Sequence, residues 1–118
     1  MGMLTDRMFR HIKSFDSRWA DLGLDDDDLA KLQDEICDDP QRAPVISGTG
    51  GIRKIRFGID SRGKSGGVRV LYGDLPEHGI VYLFAVYPKS EKENIDDSER
   101  KILKDMMTQI NRAWRERR

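Results

Sequence analysis

The sequence predicts an α+β fold: two N-terminal helices, an antiparallel sheet of three to four strands, and a C-terminal helix packed on the sheet. Three observations carry this. Apolar residues recur at helical spacing before residue 40, change to strand grammar from about residue 44, and return to helical spacing after Asp96. The 118 residues are those of one domain, with a modest core.

Met8–Ile12 is a candidate short strand ahead of the first helix. In that helix Phe15, Trp19 and Leu22 share one face, and Gly23 breaks the pattern. A second helix begins in the aspartate run Asp25–Asp28, where carboxylates cap free N–H groups and complement the helix dipole. Its apolar face is Leu29, Leu32 and Ile36, and Pro40 marks its end. The run lacks the alternating spacing and glycine of a calcium loop. Strands follow. Arg53, Ile55 and Phe57 fall on one face of the stretch beginning at Ile52, with Lys54 and Arg56 on the other. Asp60–Gly67 reads as a glycine-rich turn, Val68–Tyr72 as a second strand, and Asp74–Gly79 as another turn. Ile80–Tyr87 is almost wholly apolar, as a central strand buried on both faces would be. Asp96 and Glu99 have capping-box spacing, and Ile102, Leu103, Met106, Met107, Ile110, Ala113 and Trp114 form the apolar stripe of the last helix.

The net charge of zero conceals segregation. Residues 1–40 hold 11 acidic and 5 basic side chains; residues 41–70 hold 7 basic side chains against Asp60 alone. A basic middle of this kind can form a local anion site in a neutral molecule. Cys37 is alone, which excludes an intramolecular disulfide and a cysteine zinc cage. No apolar run approaches the roughly 20 residues that span a bilayer, and the N-terminus has no apolar signal region. The expected location is the cytoplasm, with no membrane contact. Nothing resembles a Ser-His-Asp or Cys-His arrangement, and Gly48, Gly50 and Gly51 lead into a strand rather than the helix of a phosphate-binding loop.

The string ISGTGGIRKIRFGIDSRGKSGGVRVLYGD, followed by IVYLFAVYPKSEKENI, resembles the RelE superfamily of toxins, most closely its HigB-type branch. The likeness rests on the glycine turn, the R-K-x-R-aromatic strand, the R-G-K-x-G-G-x-R-V-x-Y hairpin and the apolar strand ending in Tyr-Pro-Lys. It covers about half the chain closely. It implies a RelE-like fold and a toxin–antitoxin toxin that cleaves mRNA in the ribosomal A site, against 16S rRNA, with no metal or organic cofactor. It also implies a cognate antitoxin partner, with operator DNA bound only through that antitoxin. Carried onto this sequence, the catalytic cluster is drawn from Lys54, Arg56, Lys64, Arg69 and Lys89. Arg53, Arg62, Tyr87 and Lys92 are the substrate-binding candidates. The segment Ser90–Ile95 lacks the tyrosine or histidine that several relatives carry there.

The chemistry fits these residue types. RNA cleaves itself when a 2′-hydroxyl attacks the adjacent phosphate. An enzyme must take that proton, stabilise the phosphoryl oxygens and protonate the leaving 5′-oxygen. Arginine suits the oxygens because its planar fork donates two hydrogen bonds and keeps its charge. A lysine crowded by cations can exchange a proton. The expected roles are therefore Lys54 or Lys64 as proton acceptor, Arg56 and Arg69 on the phosphate, and Lys89 at the transition state or leaving group. The competing expectation is a toxin-like module that binds RNA, ribosome and antitoxin without cleavage. A third is a generic RNA-binding protein. Tyr72 and Tyr82 read as packed sheet residues, and His11 and His78 lie outside the basic stretch.

Overall fold

The computed structural model describes residues 6–58 and 67–117. Its elements run β1 (Met8–His11), α1 (Lys13–Asp21), α2 (Asp26–Asp38), β2 (Ile52–Phe57), β3 (Val68–Leu75), β4 (Ile80–Pro88) and α3 (Asp97–Glu116). The sheet order is β1-β4-β3-β2. β2, β3 and β4 make the expected antiparallel meander. β1 departs from the all-antiparallel expectation by lying parallel to β4, so the sheet is mixed. The reason is connectivity: the chain leaves β1 directly into α1, and the Ile12 N–H donates to Leu83 O at 3.0 Å. Every other element intervenes before β4, so no hairpin can form between the two strands.

The helices sandwich the sheet. On one face α1 and α2 bury Phe15, Trp19, Leu32 and Ile36 against Phe57, Val70, Tyr72 and Leu83. Phe15 and Phe57 stack on either side of Trp19, with ring centroids 5.5 and 6.1 Å away. The aspartate run does cap α2: the Asp25 side chain accepts from the Asp28 N–H at 2.9 Å, and Asp28 answers from the Asp25 N–H at 3.1 Å. Among the described residues no three His, Cys, Asp or Glu side chains converge as a metal site.

On the other face α3 lays Leu103 and Met107 over Ile52, Leu71, Leu75 and Phe84. Asp96 and Glu99 form the capping box predicted for it. Leu103, Met107, Ile110 and Trp114 follow the four-three-four spacing of one helix row, which leaves Ile102 on the shoulder, 57 % exposed, and Ala113 in solvent. β3 also runs past Tyr72, where a turn was expected from Asp74. Gly73 pairs with Tyr82 and Asp74 with Val81. Two contacts explain the extension. Arg7 neutralises Asp74 with hydrogen bonds of 2.6 and 3.1 Å. Gly73 admits Met107, whose Sδ would lie 2.9 Å from a Cβ at that position.

β4 carries a bulge. Leu71 pairs with Ala85 and Tyr72 with Leu83, which leaves Phe84 as the extra residue. Val81 and Leu83 face α1 and α2; beyond the bulge the alternation restarts, with Val86 on that face and Tyr87 turned toward α3. The bulge thus aims Tyr87 at the basic face.

Candidate functional site

β2 alternates, so Lys54 and Arg56 project to the α3 side while Ile55 and Phe57 join the core beneath α1 and α2. The register sets Arg56 directly opposite Arg69, and Arg69 directly opposite Tyr87. A row of arginine, arginine and tyrosine therefore crosses three strands, with Lys54 one step along β2. α3 starts only at Asp97, and the segment between Pro88 and α3 reaches this end of the face.

Two residues of that segment make the contacts. The Arg69 guanidinium, on a residue only 2 % exposed, donates to the two carboxylate oxygens of Glu93 at 3.3 and 3.5 Å. The Lys54 ammonium donates to the Glu93 carbonyl at 3.2 Å and to Asn94 Oδ1 at 3.1 Å, and stands 4.0 Å from the Glu93 carboxylate. A buried guanidinium needs such a counter-charge, because desolvation penalises an isolated ion heavily. Lys54 is thus surrounded by the acceptors it touches.

Tyr87 is buried, and its hydroxyl has no hydrogen-bond partner among the described residues. Burial pushes its pKa up; the nearby Arg69 charge opposes that shift, and Glu99 and Glu93 reinforce it. The Lys92 ammonium lies 5.1 Å from the centre of the Tyr87 ring and pairs with Glu99. That hydrogen bond, followed by one from the Asp96 N–H, holds the Glu99 carboxyl below the usual glutamate range.

The remaining candidates are dispersed. Arg53 points away from the row and clamps the carbonyls of Gln41 and Ala43 at 2.8 and 2.7 Å. Lys89 is exposed just past Pro88. Arg62 and Lys64 lie outside the described residues. His11 bonds to Asp16, and His78 packs tilted against Trp114 at the far end of α3, their ring centroids 5.3 Å apart. Tyr72 and Tyr82 are sheet residues with structural partners: the Tyr72 hydroxyl donates to Pro40 O, and Tyr82 accepts from Trp114 Nε1, both at 2.8 Å. Sequence reasoning missed Glu93 and Asn94. The signal available was a carboxylate beside the lysines that follow the last strand.

A small cleft of about 190 Å³ on this face is lined by Lys54, Tyr87, Asn94, Ile95 and Arg100. The arrangement can hold an anion. Arg56 and Arg69 offer forked donors and Lys54 a point charge, on a sheet that fixes their spacing.

Comparison with known proteins gives two findings. The family described as "RelE toxin of RelE / RelB toxin-antitoxin system" matches residues 7–117. The chain is also similar in fold to the solved structure of a double arginine-to-alanine mutant of E. coli toxin RelE in the free state. The two share 20 % sequence identity at a TM-score of 0.54, over 75 % of this chain and 88 % of the other.

Proposed function

Since the chain belongs to the RelE family, the toxins of toxin–antitoxin systems, we propose that it is a ribosome-dependent mRNA endonuclease. Within the family its motifs favour the HigB-type branch. The observation that carries the reading is the register pairing Arg56 with Arg69 beside Lys54. Three cations on one sheet face match the needs of phosphodiester cleavage by an internal 2′-hydroxyl. Arg56 and Arg69 hold the phosphoryl oxygens of the scissile link and stabilise the charge that grows there. Lys54 and Lys89 supply positive charge and a proton to the leaving 5′-oxygen. Lys92 and the Tyr87 ring beneath it border the substrate path. An antitoxin partner masks this face, and acidic side chains are its natural complement. Operator DNA is contacted through that antitoxin. The site of action is the cytoplasm, where translating ribosomes are; among the described residues no helix is long and apolar enough to cross a membrane.

Primer extension on a defined message in a purified translation system tests this, with wild type, Arg69→Ala, and a reaction lacking ribosomes. Ribosome-dependent breaks are expected with the wild type, and Arg69→Ala reduces their rate about 100- to 1,000-fold. Intact messages with folded wild-type protein would replace this reading with that of a toxin-like binding module.

A further inference from the structure

We propose that the Glu93 carboxylate is the proton acceptor of the cleavage reaction, stationed between Lys54 and Arg69. The inference rests on the endonuclease reading above.

Something on this face must take the 2′-hydroxyl proton. Arg56 and Arg69 keep their charge under all working conditions. The Lys54 ammonium is engaged as a donor to the Glu93 carbonyl and Asn94 Oδ1. Tyr87 has its hydroxyl buried, and its raised pKa keeps the proton on it. His11 is tied to Asp16, and His78 sits on Trp114 at the other end of the molecule. Among the described residues Glu93 is the carboxylate that both site cations touch, and its side chain, 46 % exposed, can be reached by substrate. The groups that face it are Lys54 from β2, Arg69 from β3 and Tyr87 from β4.

In the free protein this carboxylate occupies an anion position on the Arg69 guanidinium. An RNA phosphate arriving on Arg69 and Arg56 takes over those donors and frees Glu93 beside the bound nucleotide. The step then balances. The 2′-O–H bond breaks and its proton passes to a Glu93 oxygen. The 2′-oxygen forms a bond to phosphorus, and the P–O5′ bond breaks. The leaving oxygen takes a proton from a lysine ammonium; Glu93 then releases its proton to water and the lysine regains one. The products are a 2′,3′-cyclic phosphate and a 5′-hydroxyl.

Glu93→Gln keeps the size and hydrogen-bonding reach of the side chain and removes its ability to accept a proton. Single-turnover cleavage of a short mRNA on programmed ribosomes, followed across acid and neutral pH, provides the test, with thermal unfolding to establish that each variant is folded. The expected result is a rate about 100-fold lower or more. The toxin concentration for half-saturation stays level or falls, because glutamine does not compete with the phosphate as an anion. The wild-type rate rises with pH along an acid limb that Glu93→Gln lacks, and Glu93→Asp recovers part of both rate and limb. A Glu93→Gln rate close to wild type with the same acid limb overturns the proposal. So does a faster and tighter-binding variant, which would make Glu93 only a plug in the anion site. A folded wild type that leaves the message intact removes the endonuclease reading and the role of Glu93 with it.

Discussion

The two faces of the sheet are built from the same strands and do different work. Val68 and Val70 point to α1 and α2, where the apolar layer continues to the end of the strands and closes with the Phe15–Trp19–Phe57 stack. Arg69 and Leu71 alternate with them on the α3 face. There the layer is apolar under α3 and becomes cationic where the helix stops. The difference shows how a domain of this size can hold a buried arginine. At this end of the strands one face supplies an apolar layer, so the other can place charge where a second apolar layer would otherwise sit. Burying Arg69 costs stability unless it is paired, and Glu93 is one of its partners. The site lies at the edge of helical cover, where substrate can replace a carboxylate.

The comparison breaks most severely at Trp19. It is 5 % exposed, lies between two aromatic rings, and donates from Nε1 to Asp25 O at 3.1 Å. Trp19→Ala should destabilise the fold by about 3–5 kcal/mol, measured by urea unfolding, while folded molecules retain their cleavage rate per ribosome. A large loss of rate at unchanged stability would show that the two faces are not divided in this way. Lys54→Ala is the converse on the other face. Stability should move little, because the ammonium pairs at a partly solvated rim. The single-turnover rate should fall about 100-fold, equivalent to about 2.7 kcal/mol. Cleavage at the wild-type rate would remove Lys54 from the site.

The parts of this division legible in the sequence are those written in local periodicity. Alternation in β2 puts Lys54 and Arg56 together and Arg53 opposite them, and the clamp that Arg53 makes on Gln41 and Ala43 follows from that placement. The capping box at Asp96 and Glu99 and the apolar run of β4 are equally local signals. What could not be read depends on pairing between distant residues. The arginine row exists because β2 and β3 meet in one register, and a slip of one residue would turn Arg69 into the opposite face. Tyr87 reaches the site through a bulge at Phe84 that no alternation pattern announces. β1 is apolar enough for a strand, but its parallel place beside β4 is fixed only by where α1 leads. Glu93 meets Arg69 across 24 positions of sequence, and its acidic character pointed away from a basic site.

A smaller change probes the seam between α3 and the sheet. At Gly73 an added Cβ would meet Met107 Sδ at 2.9 Å, Met107 Cε at 3.0 Å and Phe84 Cε2 at 3.1 Å. The first two atoms end a flexible side chain that can turn aside; the aromatic ring has less room. Gly73→Ala should therefore cost about 1–2 kcal/mol in urea unfolding. It should leave cleavage unchanged, since the seam lies on the apolar half of the face. Loss of activity without loss of stability would mean that the position of α3 is transmitted to the arginine row.

The smallest effect is expected at Glu99, which joins the helix start to the rim of the site. Its carboxylate caps the Asp96 N–H at 3.0 Å and pairs with Lys92, the lysine over Tyr87. These contacts lower its folded-state pKa, the Lys92 hydrogen bond contributing most and the Asp96 N–H next. A carboxyl whose pKa is depressed by folding adds stability that is complete above its unfolded value and is lost as pH falls through the folded value. Glu99→Gln should accordingly reduce stability at neutral pH by about 0.5–1 kcal/mol, since solvent screens a pair exposed to this degree. The gap between the variant and the wild type should close on acidification below the glutamate range. Urea unfolding at neutral and acid pH measures both, and an equal gap at both would assign the effect to packing. Closure of the gap would show that charge fastens the helical border of the α3 face, as the Arg7–Asp74 pair does on the α1–α2 face.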